Sequence, residues 1–310
     1  MLHNRIKGGI FTTPYQKHNR MNIGLSIDKS ACIMCGRCVK VCPSRIFSVS
    51  DAGGKHIEAD ASLGCIECGH CVDACESGAV CHSLFGEDKR HVVDVETLPR
   101  PEAVMELIRS RRSNRAFRKE TVPKDMLDRI VEAAYLAPTA SNGQELEFVV
   151  VTEPEHLRTI SRYVMDSFSA MLRRMTRPVI RTVIRKAAPA LWRYVPRFER
   201  MKSAFEAGED PVLRGASAVI FICAPEKSRF GCQDANLAYQ NGSLMAESLG
   251  VSQFYTGFVC SAVGQDRRGR FAELLGLDKG RRIQAGMAVG MPSFRFPNYM
   301  DKQPVEAAWL

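Results

Sequence analysis

The chain has 310 residues, 45% of them hydrophobic, enough to bury a large core and to suggest two domains. Its net charge is +9, but twelve basic residues lie between Arg158 and Lys202 against only Asp166 and Glu199, leaving the remainder at about −1. Charge so localised argues against a global nucleic-acid-binding role, and no apolar run reaches the length of a membrane span.

The first twenty residues are basic and polar and lack the apolar core of a signal peptide. Residues 1–21 are therefore expected to be a disordered lead-in, with Met21 as an alternative start. The next stretch is duplicated. CIMCGRCVKVCP begins at Cys32 and CIECGHCVDACE at Cys65, 33 residues later, each with the spacing Cys-x2-Cys-x2-Cys-x3-Cys. Asp28 and Asp60 precede the two copies. Zinc usually takes two close cysteines and two distant ligands, so three cysteines in one tight loop, twice over, fit it poorly, as they fit a disulfide framework poorly. Iron–sulfur ligation fits the run.

The repeat resembles bacterial two-cluster ferredoxins. That resemblance implies two [4Fe-4S] clusters with crossed ligands: Cys32, Cys35, Cys38 and Cys75 for one, Cys65, Cys68, Cys71 and Cys42 for the other. Glu76 stands where the family's second copy has proline. Thiolate-rich clusters need a reducing compartment, so a cytoplasmic protein is expected. Cys81, Cys223, Cys232 and Cys260 remain without a pattern. The domain is expected over residues 22–85, followed by a linker over 86–101 marked by charges, Gly86 and two prolines.

From residue 102 the pattern turns helical, with Ala103, Val104, Leu107 and Ile108 on one face, running into Arg109-Ser110-Arg111-Arg112-Ser113-Asn114-Arg115. Pro123 in a first turn, then Met126, Leu127, Ile130, Val131, Ala134 and Tyr135, predict a second helix. The loop Ala137-Pro138-Thr139-Ala140-Ser141-Asn142-Gly143-Gln144 leads to a buried strand over 148–151. In the basic segment, Ile160, Val164, Phe168, Met171, Met175 and Val179 form an apolar helical stripe with Arg173, Arg177 and Arg181 opposite; Pro178, Pro189 and Pro196 break it. Strands are predicted over 218–223 and 285–289, and a long helix over 234–249 capped by Gly250. Alternating helices and strands indicate an α+β domain over 102–310.

Four stretches in order resemble the FMN-dependent nitroreductase family. They are Ile108 through Phe117, the loop Ala137 through Gln144, the run Asp234-Ala235-Asn236 to Thr256-Gly257-Phe258, and Val289-Gly290-Met291-Pro292. With the cysteine repeat, the chain resembles a ferredoxin–nitroreductase fusion whose second domain is an α+β fold with a central mixed sheet. The resemblance implies FMN, held by Arg111, Arg112, Ser113, Arg115 and Arg295. Guanidinium and hydroxyl donors suit its phosphate, whereas an arginine run alone is more often a solvated face. It further implies that Pro138, Thr139 and Asn142 reach FMN from a neighbouring subunit of a homodimer. The backbone at Thr256 and Gly257 is implied to lie near flavin N5; otherwise Gly257 is a turn glycine. No catalytic acid is identified.

The basic segment 158–202 corresponds to the family's variable cover over the flavin. Its alternatives are an anionic membrane surface or a solvated helix packed on the core, and its field favours an anionic substrate or acidic donor. The expected function is reduction of a small organic acceptor such as a nitro compound. Electrons would come from reduced ferredoxin or a similar protein, or from NAD(P)H, although no Rossmann Gly-x-Gly-x-x-Gly is present. Alternatives on the same fold are a dehalogenase, an enone reductase or a flavin reductase. A non-catalytic electron carrier or redox sensor is the alternative of another class.

Overall fold

The cysteine repeat is written into the backbone as well as the side chains. The protein is described by a computed structural model covering residues 23–310 apart from 267 and 279, so the lead-in expected over 1–21 lies outside the described residues. These divide into two units: residues 23–99 together with 139–144, and residues 100–138 together with 145–310. The first contains β1 (Leu25–Ile27), α1 (Arg37–Val41), β2 (Phe47–Ser50), β3 (His56–Ala59), α2 (His70–Asp73) and β4 (Val80–His82). β1 pairs antiparallel with β4 and β2 with β3, so each copy of the repeat lends one strand to each ladder. Asp28 N–H donates to Ala79 O at 2.8 Å and Asp60 N–H to Ile46 O at 2.9 Å, the same bond in the two halves. Each aspartate also accepts from a following serine, Asp28 from Ser30 and Asp60 from Ser62.

Left-handed residues recur at the same offset. Met34 and Glu67, each at the last position before the second cysteine, share a φ of 58°, and Gly36 and Gly69 open α1 and α2 at 70° and 75°. A glycine holds that conformation without steric cost, which explains why one follows the second cysteine in both copies. Glu76 is paired with Arg37 of the first copy, so the ion pair ties the halves where the ferredoxin family has proline.

The second unit begins with α3 (Pro101–Ser110), α4 (Lys124–Tyr135) and β5 (Glu147–Val151), then the basic segment as α5 (Pro154–Met175), α6 (Pro178–Ala187), α7 (Pro189–Trp192) and α8 (Val195–Glu206). It ends with β6 (Ala218–Pro225), α9 (Gly231–Ser248), β7 (Ser252–Tyr255), α10 (Gly257–Gln265), α11 (Arg270–Leu274) and β8 (Arg281–Gly290). Pro123 sits one residue before α4 rather than inside it. The sheet order is β5-β6-β8-β7, with every ladder antiparallel. It becomes mixed only at its β7 edge, where Ser113 forms a parallel bridge with Gln253.

Alternation along the strands gives the sheet two apolar faces. Val149, Val151, Val219 and Phe221 pack with α5 and α10; Phe148, Val150, Ile220 and Ile222 pack with α4 and α9. Phe221 is fully buried, and truncating such a ring costs about 3–5 kcal/mol. Cys223 fills the first face, and burial pushes its thiol well above the ordinary range. The apolar stripe of α5 is buried at Ile160, Val164, Phe168 and Met175, but Val179 is not part of it: it lies on α6 and is 77% exposed. Pro178 and Pro189 begin α6 and α7, and Pro196 lies in the first turn of α8, where a missing N–H removes no helical bond.

Candidate functional sites, one in each unit

In the first unit seven of the eight motif cysteines fall into two neighbouring groups. Burial pushes the Cys38, Cys65 and Cys71 thiols up, Cys71 to about 12, and neighbouring thiols add to it. Cys38 feels Cys75 and Cys32, whereas Cys65 and Cys71 both feel Cys68 and Cys42. Cys42 thus lies near the cysteines of the second copy and Cys75 near those of the first, the proximity that crossed ligand sets would need. Among the described residues no three His, Cys, Asp or Glu converge tightly enough for a single ion; a cubane spreads its four thiolates around a wider body. Backbone N–H groups approach the sulfurs, Glu67 N at 3.3 Å from Cys65 Sγ and Ile46 N at 3.5 Å from Cys42 Sγ. Such donors suit anionic sulfur, so the donor set fits iron–sulfur clusters. Cys81 is exposed on β4.

The loop over 139–144 groups with this unit. Asn142 Nδ2 donates to Glu67 O at 2.7 Å and to Ile66 O at 3.3 Å, between Cys65 and Cys68. Thr139 Oγ1 accepts from Gln144 N–H at 3.0 Å, closing the loop, while Ser141, Asn142 and Gln144 all take positive φ. The Asn142 amide expected to serve a partner's cofactor is thus engaged with carbonyls of its own chain.

In the second unit the arginine run leaves α3 and meets two other segments. Buried Asn114 donates through Nδ2 to Ser252 Oγ at 3.0 Å and to Phe294 O at 2.9 Å, while its Oδ1 accepts from Ala116 N–H at 3.0 Å. Phe117 bridges Pro292, and Arg118 N–H and Ser293 N–H donate to Met291 O and Ala116 O. Ser113, β7 and the C-terminal segment bearing Arg295 therefore meet at one sheet edge. The Arg295 guanidinium lies against Gly250, whose φ of 74° and lack of Cβ leave it room. Burial raises the Tyr239 hydroxyl, and Arg111 and Arg115 oppose that shift from nearby; the hydroxyl donates to Gln253 Oε1 at 2.7 Å.

Arg112 turns one guanidinium nitrogen back onto its own helix. Its Nη1 donates to Arg109 O at 2.6 Å and Arg111 O at 3.1 Å, capping the end of α3 where cations are favoured. Arg115 stacks on Phe254 at 5.2 Å and donates to Ser113 O. Thr256 N–H donates to Gly286 O at 2.9 Å, so of the two expected backbone donors only Gly257, opening α10, has the unpaired position of a first helical turn. Thr256 Oγ1 is buried with only the Cys260 thiol, a weak partner, beside it. Beside these residues lies a cleft of about 620 Å³, lined by Arg115, Thr256 and Gly257 and covered by residues of α8. Guanidiniums, a hydroxyl, a helix N-terminus and an unmet buried oxygen fit an anionic ligand with a planar polar ring. Pro138 closes the loop entry after α4 in this unit. Asn114 and Gln253 were not singled out in sequence; a lone amide inside an arginine run was the available signal.

The sequence model of the Nitroreductase family matches residues 108–291. The chain belongs to the nitroreductase family. It is an oxidoreductase, and residues 16–80 match the 4Fe-4S dicluster domain, which makes it a ferredoxin–nitroreductase fusion with an α+β fold. A protein of Archaeoglobus fulgidus named for NADH dehydrogenase/NAD(P)H nitroreductase activity is 25% identical over 62% of this chain and 86% of its own. The FMN reductase [NAD(P)H] of Bacillus subtilis is 27% identical over 62% of this chain and 67% of its own. A solved nitroreductase with bound FMN from Desulfitobacterium hafniense shares the fold at a TM-score of 0.50, with 21% identity over 65% of this chain and 97% of that one. No described helix is long and apolar enough to cross a membrane.

Proposed function

We propose that the protein is an FMN-dependent reductase of a small organic acceptor, a nitro compound or similar, that receives its electrons through two [4Fe-4S] clusters. The observation that carries this reading is the meeting of Ser113, Gln253 and the Arg295 segment at one sheet edge through Asn114, beside an open cleft. FMN, when bound, accepts electrons singly and delivers them in pairs, which joins one-electron clusters to an acceptor that needs a pair. Arg111, Ser113 and Arg295 would hold the phosphate by charge-assisted bonds. Gly257 N–H, at the positive end of α10, would offer a donor to a ring nitrogen and favour the electron-rich form. Arg115, braced by Phe254, would stand between ring and acceptor.

Cys32, Cys35, Cys38 and Cys75 would ligate one cluster and Cys65, Cys68, Cys71 and Cys42 the other. The second unit would pair with a second copy of the chain, Pro138, Thr139 and Asn142 completing the partner's site, Asn142 through its Oδ1. The relatives' names make NAD(P)H one donor to test; the cluster domain makes reduced ferredoxin the other. The deciding experiment is anaerobic mixing of chemically reduced, full-length protein with nitroaromatic, enone and halogenated acceptors. Oxidation of the flavin by at least one is expected; persistence of reduced flavin with all of them reduces the protein to an electron carrier or sensor. Replacing Arg111 and Ser113 by alanine should release FMN and leave the iron–sulfur absorbance, and retained FMN would move the phosphate site elsewhere.

A further inference from the structure

The cleft beside Gly257 has a charge pattern that the flavin reading does not use. Three arginines line it, Arg115, Arg197 and Arg214, and no aspartate or glutamate does. Arg111, Ser113 and Arg295, the residues assigned to phosphate, are not among its lining. Arg197 and Arg214 therefore form a second basic pair, separate from the first and brought in by the cover segment and the turn after it. Neither is in an ion pair among the described residues.

Both arginines are held by their surroundings. Arg197 lies over the Phe258 ring at 5.3 Å, and Phe258 packs edge-on to Phe168 at 5.5 Å, so the guanidinium rests on a fixed aromatic floor. Arg214 has a φ of 59°, a left-handed conformation that a side chain with a Cβ resists. The turn around it over-determines that state. Asp210 Oδ1 accepts from Val212 N–H at 3.0 Å, Leu213 N–H at 2.9 Å and Ser161 Oγ at 2.9 Å, and Asp210 O accepts from Arg214 N–H at 3.1 Å. Backbone strain maintained in this way at the rim of a cleft is a mark of a presented side chain. Tyr194 and Phe198, stacked at 6.3 Å, line the same cleft, with Phe198 against Phe168 at 4.9 Å.

We propose that the acceptor reduced in this cleft is a planar molecule bearing a carboxylate or like anion, its ring against Tyr194 and Phe198 and its anion between Arg197 and Arg214. This rests on the reductase reading above. An anion there gains two charge-assisted contacts in a site without competing carboxylates, and a neutral isostere leaves both guanidiniums without a partner.

The test pairs 4-nitrobenzoate with 4-nitrobenzyl alcohol as acceptors for the anaerobically reduced full chain, in the wild type, in R197M/R214M and in R197K/R214K. The wild type should prefer the anion by about tenfold in kcat/KM, through KM, as expected for one good charge-assisted contact. R197M/R214M should lose that preference while reducing the alcohol within about twofold of wild type, and R197K/R214K should restore part of it. An independent reading is perturbation of the flavin absorbance of the oxidised protein by benzoate against benzamide, with benzoate affinity falling about tenfold in R197M/R214M. Equal use and equal binding of anion and neutral isostere by the wild type overturns the proposal, as does loss of FMN from R197M/R214M, which would make the pair a phosphate site. If the wild type reduces neither acceptor, the reductase reading fails, and benzoate binding still decides this one.

Discussion

His82 lies behind the Cys65 sulfur with its proton position determined. Leu84 N–H donates to Nδ1 at 3.1 Å, so Nε2 carries the ring proton and faces Cys65 Sγ at 3.6 Å. Burial lowers its basicity, which keeps it a neutral donor, and Phe85 packs on it at 4.7 Å. The residue 33 positions earlier is Val49, which has no donor to give. H82L should therefore lower the potential of one cluster by on the order of 60 mV and leave the other unchanged, since one hydrogen bond to a charged sulfur is worth roughly 1.5 kcal/mol. Redox titration followed by electron paramagnetic resonance measures this; equal shifts in both clusters would contradict it. Asn114 makes a second case. N114A leaves Ser252 and Phe294 O without their donor and should cost about 2 kcal/mol in thermal unfolding, with flavin lost and iron content kept. The arginines around Asn114 can be proposed as phosphate donors from sequence because their chemistry is local. Asn114's role is not legible, because both acceptors lie more than a hundred residues away, and neither is the fold of Arg112 Nη1 back onto Arg109 O.

At the scale of elements, the turn from α10 to α11 depends on one carboxylate. Burial pushes Asp266 up, but donation from Phe271 N–H, Tyr163 and Arg268 N–H outweighs it and holds the carboxyl below its ordinary value of 3.8. A carboxylate with a lowered folded value contributes stability above the unfolded value and loses it as pH falls through the folded one. D266N should thus be less stable than wild type at pH 7, and the gap in melting temperature should close as pH falls below about 4. A gap that is constant with pH would assign the loss to packing. The strands at 148–151, 218–223 and 285–289 were readable because central strands are continuously apolar. β7 was not: Ser252-Gln253-Phe254-Tyr255 mixes polar and aromatic residues, its Gln253 being buried to serve Tyr239 and Arg112 rather than the core. Val179 continues the spacing of the α5 stripe in sequence, and only the break at Pro178 turns it outward.

For the whole molecule, the decisive prediction concerns the crossed ligands. Iron near eight per chain is expected, and Cys42→Ala should remove the cluster whose other ligands lie in the second copy, leaving the cluster of Cys32, Cys35 and Cys38 intact to spectroscopy. Loss of the first-copy cluster instead would show uncrossed ligation. The joined domains were legible from the cysteine repeat and the ordered motifs, whereas the grouping of the 139–144 loop with residues 23–99 was not, since nothing local announces Asn142's bond to Glu67 O. The paired bonds Asp28–Ala79 and Asp60–Ile46 carry a consequence for how the chain is made and how it arose. Neither copy of the repeat contains its own partner: the first strand waits for the last, and β2 waits for the strand that opens the second copy. A ribosome must therefore release both copies before β1 can meet β4, and a single ancestral copy could have paired its strands only with those of a twin.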